Sequence, residues 1–333
     1  MLQTFNSKVI GILFLLVLSS FLFFLSLVIG HSSVSFALAW EFITQYNPDN
    51  PEHLIIATSR VTRGLIAIVI GMVLAISGVL IQTLTRNPLA SPDLLGINAG
   101  AIFFIVFAIT WLDLQSMQHY MWFGFLGAAV ASLSVFSLSN VGRDGLTPIK
   151  IILAGTALSA LFMSFTQGML VIDEQAIQTV LFWLAGSIAG RDLNLLLAVL
   201  PLFLVAITIS LFIGKAMNVF GSGDDIAKSL GQNVGVLKIV MGLLIIVLAG
   251  GSVAVVGSVG FVGLIVPHIA KAITGPDFRW VIPYSALLGA TLLLSADILA
   301  RIIISPMEVP LGVMTAFIGG PFFIYLAKKG VSK

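Results

Sequence analysis

Apolar residues run in long blocks along this chain, interrupted by short polar segments. A helix that spans a bilayer needs about 20 predominantly apolar residues. Ten blocks meet or approach that length: Val9 to Gly30, Val61 to Thr83, Leu94 to Leu112, His119 to Ser139, Ile149 to Leu170, Leu193 to Gly214, Leu237 to Val256, Gly260 to Thr274, Trp280 to Arg301 and Val309 to Ala327. The eighth is short. The charge-free run from Ile239 to Ala270 is too long for one span, and its glycine-rich "AGGSVAVVGSVGFVG" predicts a break near Gly257 with an outer turn at Ser258. One tilted helix through that run would give nine spans instead.

Composition agrees with the pattern. Of 333 residues, 59% are hydrophobic and 9% charged, against roughly 25% charged in a soluble domain. Mean hydropathy is +1.12. The N-terminal block carries no charge from Val9 to Trp40, well beyond the roughly 7–15 residues of a signal-peptide core, so it reads as a span. The net charge of +2 gives no reason to expect a nucleic-acid partner. Cysteine is absent, which excludes disulfides, thiol catalysis and cysteine-ligated metal. The four histidines (His31, His53, His119, His268) form no metal-binding pair, and no cofactor is expected.

Charge fixes the sides. Loops on the cytoplasmic side of a membrane protein are enriched in lysine and arginine. With ten spans and a cytoplasmic N-terminus, Lys8, Arg86, Arg143, Lys150, Lys215 and Lys228 lie inside. So do Lys238, Lys271, Arg279, Lys328, Lys329 and Lys333. Only Arg60, Arg63, Arg191 and Arg301 lie outside. Nine spans would move the C-terminal lysines outside and blur the bias. Both termini are therefore expected in the cytoplasm.

The loops are unequal. The outer segment from His31 to Arg60 holds the turn-forming "NPDNPEH", and the apolar outer segment from Asp173 to Asp192 is too short to span and is expected to lie at the interface or re-enter. The inner elbow "RNPLASPD" joins the second and third spans; Pro88 and Pro92 cannot continue a helix, and Asp93 is placed to cap the third span by accepting a backbone N–H. It reads as a stiff inner corner, with contact to a cytoplasmic partner as the alternative. The largest inner loop, Lys215 to Lys238, contains "GDDIAKS", which lacks the glycine and preceding strand of a phosphate loop and reads as a short helix.

Ionisable residues are nearly absent from the spans. Asp297 is the exception, and it stands four residues before Arg301, a spacing that pairs them on one helix face. A proton-coupled transporter or an intramembrane hydrolase would need midplane carboxylates, histidines or a nucleophile–base pair, none of which the sequence supplies.

Several long motifs together resemble the permease subunits of ABC importers for iron–siderophores, haem and cobalamin. They are "GMVLAISGVLIQTLTRNPLASPDLLGINAG", "FWLAGSIAGRD", "GSVGFVGLIVPHIAKAITGPDFR", "LLGATLLLSADILAR" and "EVPLGVMTAFIGGPFFIYL". Three positions depart from the family pattern: Thr62 and Ser258 stand where it has prolines, and Lys271 where it has arginine. The resemblance implies an all-α polytopic fold of about ten spans with an inverted repeat, spans two to five against seven to ten. It implies a single transmembrane permease domain over residues 1–333, in the plasma (inner) membrane of a prokaryote. It also implies a dimer with the path at its interface, two cytoplasmic ATPase subunits beneath it and an extracytoplasmic binding protein above. In such permeases the loop after the sixth span forms a coupling helix, here residues 224–231, with Asp224, Asp225, Ala227, Leu230 and Gly231. Matching outer arginines, here Arg60, Arg63 and Arg301, pair with glutamates on the binding protein. The expected cargo is a ferric siderophore or similar chelate, with cobalamin or haem as the alternative; the chain itself would perform no chemistry.

Overall fold

The computed structural model describes residues 2, 4–30, 34–141, 147–172 and 174–331. His31, Arg143, Asp173 and Lys333, used above to place loops, lie outside the described residues. Among those described there are helices and turns and no strand.

The helices are α1 (Phe5–Val28), α2 (Phe36–Thr44), α3 (Pro51–Leu84), α4 (Ile97–Thr110), α5 (Met117–Ser139), α6 (Pro148–Ile172) and α7 (Glu174–Ala185). They continue with α8 (Leu193–Phe212), α9 (Gly214–Gly221), α10 (Asp224–Ser229), α11 (Val234–Val256), α12 (Val262–Thr274), α13 (Phe278–Ile302) and α14 (Leu311–Val331). Seven are long and apolar enough to cross a membrane, and three shorter apolar ones start at Ile97, Val262 and Leu311. Seven and three make the ten spans read from the sequence. The order long, short, long appears in α3 to α5 and again in α11 to α13, as the inverted repeat expected from the sequence would give.

The centre of the bundle is α3, buried along most of its length. It begins ten residues before the predicted start. Asn50 caps it by accepting the Glu52 N–H at 2.9 Å, Pro51 occupies the first turn, and a π-helical stretch at Ile56–Val61 absorbs the join. Proline suits a first turn because its missing N–H has no intrahelical partner there anyway. Small residues then let backbones meet: Gly71 of α3 faces Gly289 of α13, and Gly78 faces Gly263 of α12 so closely that a Cβ on Gly78 would overlap the Gly263 carbonyl. Such contacts replace the hydrophobic drive that lipid cannot provide between helices.

The breaks between α3 and α4 and between α11 and α12 meet inside the bundle. A 3-10 turn at Pro92–Leu95 precedes α4, and residues 257–261 precede α12. The Gly257 break is where the sequence placed it, but Ser258 is not in an outer aqueous turn. Its hydroxyl accepts from Asn98 Nδ2 at 2.9 Å, and its N–H donates to the Trp183 carbonyl at 2.9 Å. The apolar outer segment is responsible: α7 and the strand of chain after it fold back over this turn, with Ser187 donating to the Val256 carbonyl at 2.8 Å. Trp183 is buried there.

Candidate functional site

Three polar groupings stand out against the apolar bundle, one at each end and one between. "Inner" here means the end richest in lysine and arginine.

At the outer end, α1, α3 and α13 converge on Asp297. Arg63 donates from Nε to Asp297 Oδ1 at 2.8 Å and from Nη1 to Glu308 Oε2 at 2.7 Å. Arg301 pairs with the other Asp297 oxygen, the helical (i, i+4) pair expected from the sequence. Its Nη1 also caps the end of α1, donating to the Ser26 and Ile29 carbonyls at 2.9 and 2.8 Å. Arg60 does the same for the Leu27 and Val28 carbonyls, both at 2.6 Å. These are the carbonyls a helix leaves without intrahelical donors, and guanidinium groups near them also meet the negative end of the helix dipole.

The three arginines singled out in the sequence are thus brought together, but not presented alike. Arg60 is 5% exposed and Arg301 7%. Arg63 keeps 14% of its side chain exposed and Glu308 30%. The fourth outer cation, Arg191, is also buried, its guanidinium 4.3 Å from the centre of the Trp183 ring. Glu308 went unnoticed in the sequence; an acid in an outer loop next to so many buried arginines was the available signal.

Between the two breaks, Asn98 Nδ2 donates to Asp93 Oδ1 at 2.5 Å and to Ser258 Oγ at 2.9 Å. Asp93 therefore does not cap α4 as expected. The left-handed Gly96 holds the N-cap position and α4 has no side-chain cap, so the carboxylate turns to the Asn98 amide one turn on. Asp93 and Asn98 wall a cavity of about 390 Å³ whose other side is α6, including Ser159, Thr166 and Gln167. Along α6 the chain buries only Ile151, Gly155 and Thr166, and leaves Thr156, Ser164 and Gln167 exposed.

At the inner end, α10 is the short helix expected in the longest inner loop. Gly223 and Gly231, at φ +122° and +79°, bound it. Asp224 at its head takes Arg86 Nη2 at 2.5 Å and Lys238 Nζ at 2.9 Å. Partial burial pushes the Asp224 carboxyl up, but Lys238 and Arg86 outweigh it and hold it below the usual carboxylate range. Ala227 packs inward, while Ile226 and Leu230 are 52% and 69% exposed. Asp225 and Gly231 are exposed as well. Arg86 belongs to the elbow after α3; its Nη2 also reaches the Phe220 carbonyl at 3.2 Å and its guanidinium lies over the Phe220 ring. The elbow is therefore bound to the head of α10, a contact between residues 138 apart in sequence.

A polytopic bundle with paired helix breaks at its centre and a mainly apolar cavity with a few polar groups beside them has the build of a membrane permease. The chain belongs to the FecCD transport family, whose model matches residues 15–329. It is 49% identical over 305 residues to the "Probable siderophore transport system permease protein YfiZ" of Bacillus subtilis (strain 168), covering 92% of this chain and 91% of that one. It is 37% identical over 319 residues to the ferric enterobactin transport system permease protein FepD of Escherichia coli (strain K12), covering 96% and 94%. Among solved structures, the inward-facing conformation of a metal-chelate type ABC transporter superposes with a TM-score of 0.84 at 30% identity, covering 96% of this chain and 98% of that one.

Proposed function

We propose that this permease is the membrane-spanning subunit of an ATP-driven importer that carries a ferric siderophore or similar chelate into the cytoplasm. The observation that carries the reading is the uncovered α6. Its exposed Gln167 would be costly against lipid, and the equally exposed Thr156 and Ser164, whose hydroxyls return to their own helix, add a polar stripe to the same helix. Beside the cavity at Asp93 and Asn98 they fit the wall of a path completed by a second permease subunit, identical or paralogous. The family membership and the names of its relatives support the cargo class.

The partners follow from the two ends. Two ATPase subunits would bind below, each receiving residues 224–231 as a coupling helix through the exposed Ile226 and Leu230, with Asp224, Asp225, Ala227 and Gly231 shaping it. A binding protein would dock above at the level of Arg60, Arg63 and Arg301. Arg63 and Glu308 would contact it, while Arg60 and Arg301 hold the end of α1 in place. Residues 1–333 would act as a single permease domain in the plasma (inner) membrane, with both termini cytoplasmic and lipid as the remaining partner. ATP hydrolysis would fall to the separate subunits, and the path would change its facing by their differential grip on two conformations.

The test is uptake of radioiron-labelled ferric siderophore by proteoliposomes that hold the full complex. Uptake is expected to need both ATP and the binding protein, and Leu230→Asp is expected to leave ATP hydrolysis uncoupled from it. Uptake driven by an ion gradient without ATP would overturn the reading. Cobalamin or haem entering in place of the iron chelate would shift the cargo alone.

A further inference from the structure

An apolar groove runs down the surface between α5 and α11 towards the inner end. Its walls are Leu133 and Phe136 on one helix and Ile239, Leu243 and Ile246 on the other. The side chains around its mouth are those of a lipid-facing surface: Leu133, Ile239 and Leu243 are 49%, 60% and 51% exposed. The groove encloses about 240 Å³ and ends at Asn140 and Lys238. Those same two residues open onto a second, polar basin of about 470 Å³ that also holds Arg86, Lys228 and Asp224. Among the described residues, one carboxylate thus faces three cations, and three less one leaves a surplus of two positive charges.

An apolar channel continuous with a positively charged basin at the inner end of a spanning bundle has the form of one molecule, an acyl chain beneath a phosphate. Basic pockets between helices on the cytoplasmic side recognise the head groups of acidic lipids. We infer that the α5–α11 groove and its basin form a binding site for an anionic phospholipid of the inner leaflet, with its tail against Phe136 and Leu243 and its phosphate at Lys238, Lys228 and Asn140. Asp224, shared by Arg86 and Lys238, neutralises only part of the basin and sets its preference for a single phosphate over a more highly charged ligand. Because Lys238 also holds Asp224, an occupied basin bears on the position of α10.

The full chain, purified in detergent, would be exchanged into nanodiscs of mixed phosphatidylglycerol and phosphatidylcholine, and the lipids retained on release counted by native mass spectrometry. Phosphatidylglycerol is expected to be retained in preference. A cation near an anionic head group contributes enough that Lys228→Gln should weaken the preference roughly fivefold, and adding Lys238→Gln should weaken it further. Ser137→Trp, which fills the groove and leaves every charge in place, should reduce retention of the lipid without altering the fold seen by size exclusion. Lys228→Gln removes no partner of Asp224 and serves alone if the double variant does not fold. Equal retention of the two lipids, or an undiminished preference in Lys228→Gln, would overturn the site. Displacement by free glycerol phosphate would also overturn it, since the basin would then bind phosphate without needing the tail.

Discussion

Gln82 of α3 donates its side-chain amide to the Gly263 carbonyl of α12 at 3.3 Å and to the Leu264 carbonyl at 3.1 Å. Pro267 lies inside α12 and has no N–H for the carbonyl four residues before it, that of Gly263. A neighbouring helix thus satisfies the group that the proline leaves bare, as backbone in a bilayer requires. Gln82→Leu should cost about 1–3 kcal/mol, the penalty of an unsatisfied buried group, and lower the melting temperature in detergent. Adding Pro267→Ala restores an intrahelical donor and should recover part of the loss. Purely additive effects of the two substitutions would contradict this account.

Arg301 and Arg63 share one carboxylate but differ in burial. Removing one partner of a buried pair leaves an uncompensated charge and costs about 3–5 kcal/mol. Arg301→Ala should therefore abolish or sharply reduce folded protein. Arg63→Gln, at the more exposed rim, should be tolerated. Equal melting temperatures for the two variants would show that the network is not organised around Asp297 as described.

The ten spans, their order and the helix at Asp224–Ser229 were legible in the sequence, because block length and charge bias need no partner to be read. The Asp297–Arg301 pair was legible for the same reason, being local. What the sequence did not reveal was long-range. Arg60 and Arg301 read as outer charges, yet both turn onto the carbonyls ending α1, a contact across 33 residues for Arg60 and 275 for Arg301. Ser258 read as an outer turn because nothing local shows that α7 folds over it. Asp93 read as a cap because Asx residues before a helix usually are; the left-handed Gly96 in between took that place.

The proposed docking can be separated from folding at the outer arginines. Arg60→Glu would set a carboxylate against the Leu27 and Val28 carbonyls, so it should fail by loss of folded protein. Arg63→Gln, which brings no new carboxylate to Asp297 and Glu308, should fold and weaken binding-protein affinity modestly, since rim pairs contribute about 0.2–1 kcal/mol each. The wild-type affinity should fall with added salt. Binding measured in nanodiscs across a salt series checks this; an Arg63→Gln protein that docks as tightly as wild type at every salt level would remove Arg63 from the proposed interface.

Asp277 caps α13, accepting from the Arg279 N–H at 3.0 Å and from Asn218 Nδ2 at 2.7 Å. Hydrogen bonding from Arg279 is the main cause that holds its carboxyl well below the usual carboxylate range, with Asn218 adding to it against some desolvation. A carboxyl whose pKa is depressed by folding stabilises the folded state above its unfolded value, near 3.9, and loses that contribution as pH falls towards the folded value. Asp277→Ala should thus lower stability by about 1 kcal/mol at neutral pH, the usual cost of a lost cap. Its melting temperature should run parallel to wild type from about pH 5 to 8, and the gap should narrow only below about pH 4. A gap that changes between pH 6 and 8 would assign the effect to another group.

Arg86 and Asp224 tie the elbow after α3 to the head of α10. The elbow continues through Pro92 to Asp93 at the central cavity, and α10 carries the exposed Ile226 and Leu230 towards the proposed ATPase. The ion pair would thus form a short mechanical route from the inner face to the cavity wall. Its energy need not be large, because both partners are partly exposed and such pairs contribute little to stability. Its effect should appear in coupling instead. Arg86→Ala and Asp224→Ala should each insert normally, melt within a few degrees of wild type and raise the ATP hydrolysed per chelate imported. If the pair acts as one link, the double variant should be no worse than the poorer single variant, whereas independent sites would add. Lys238 still holds Asp224 in Arg86→Ala, so that variant alone tests the elbow rather than the placement of α10. Additive losses in the double variant, or an unchanged hydrolysis-to-import ratio in Arg86→Ala, would exclude this route.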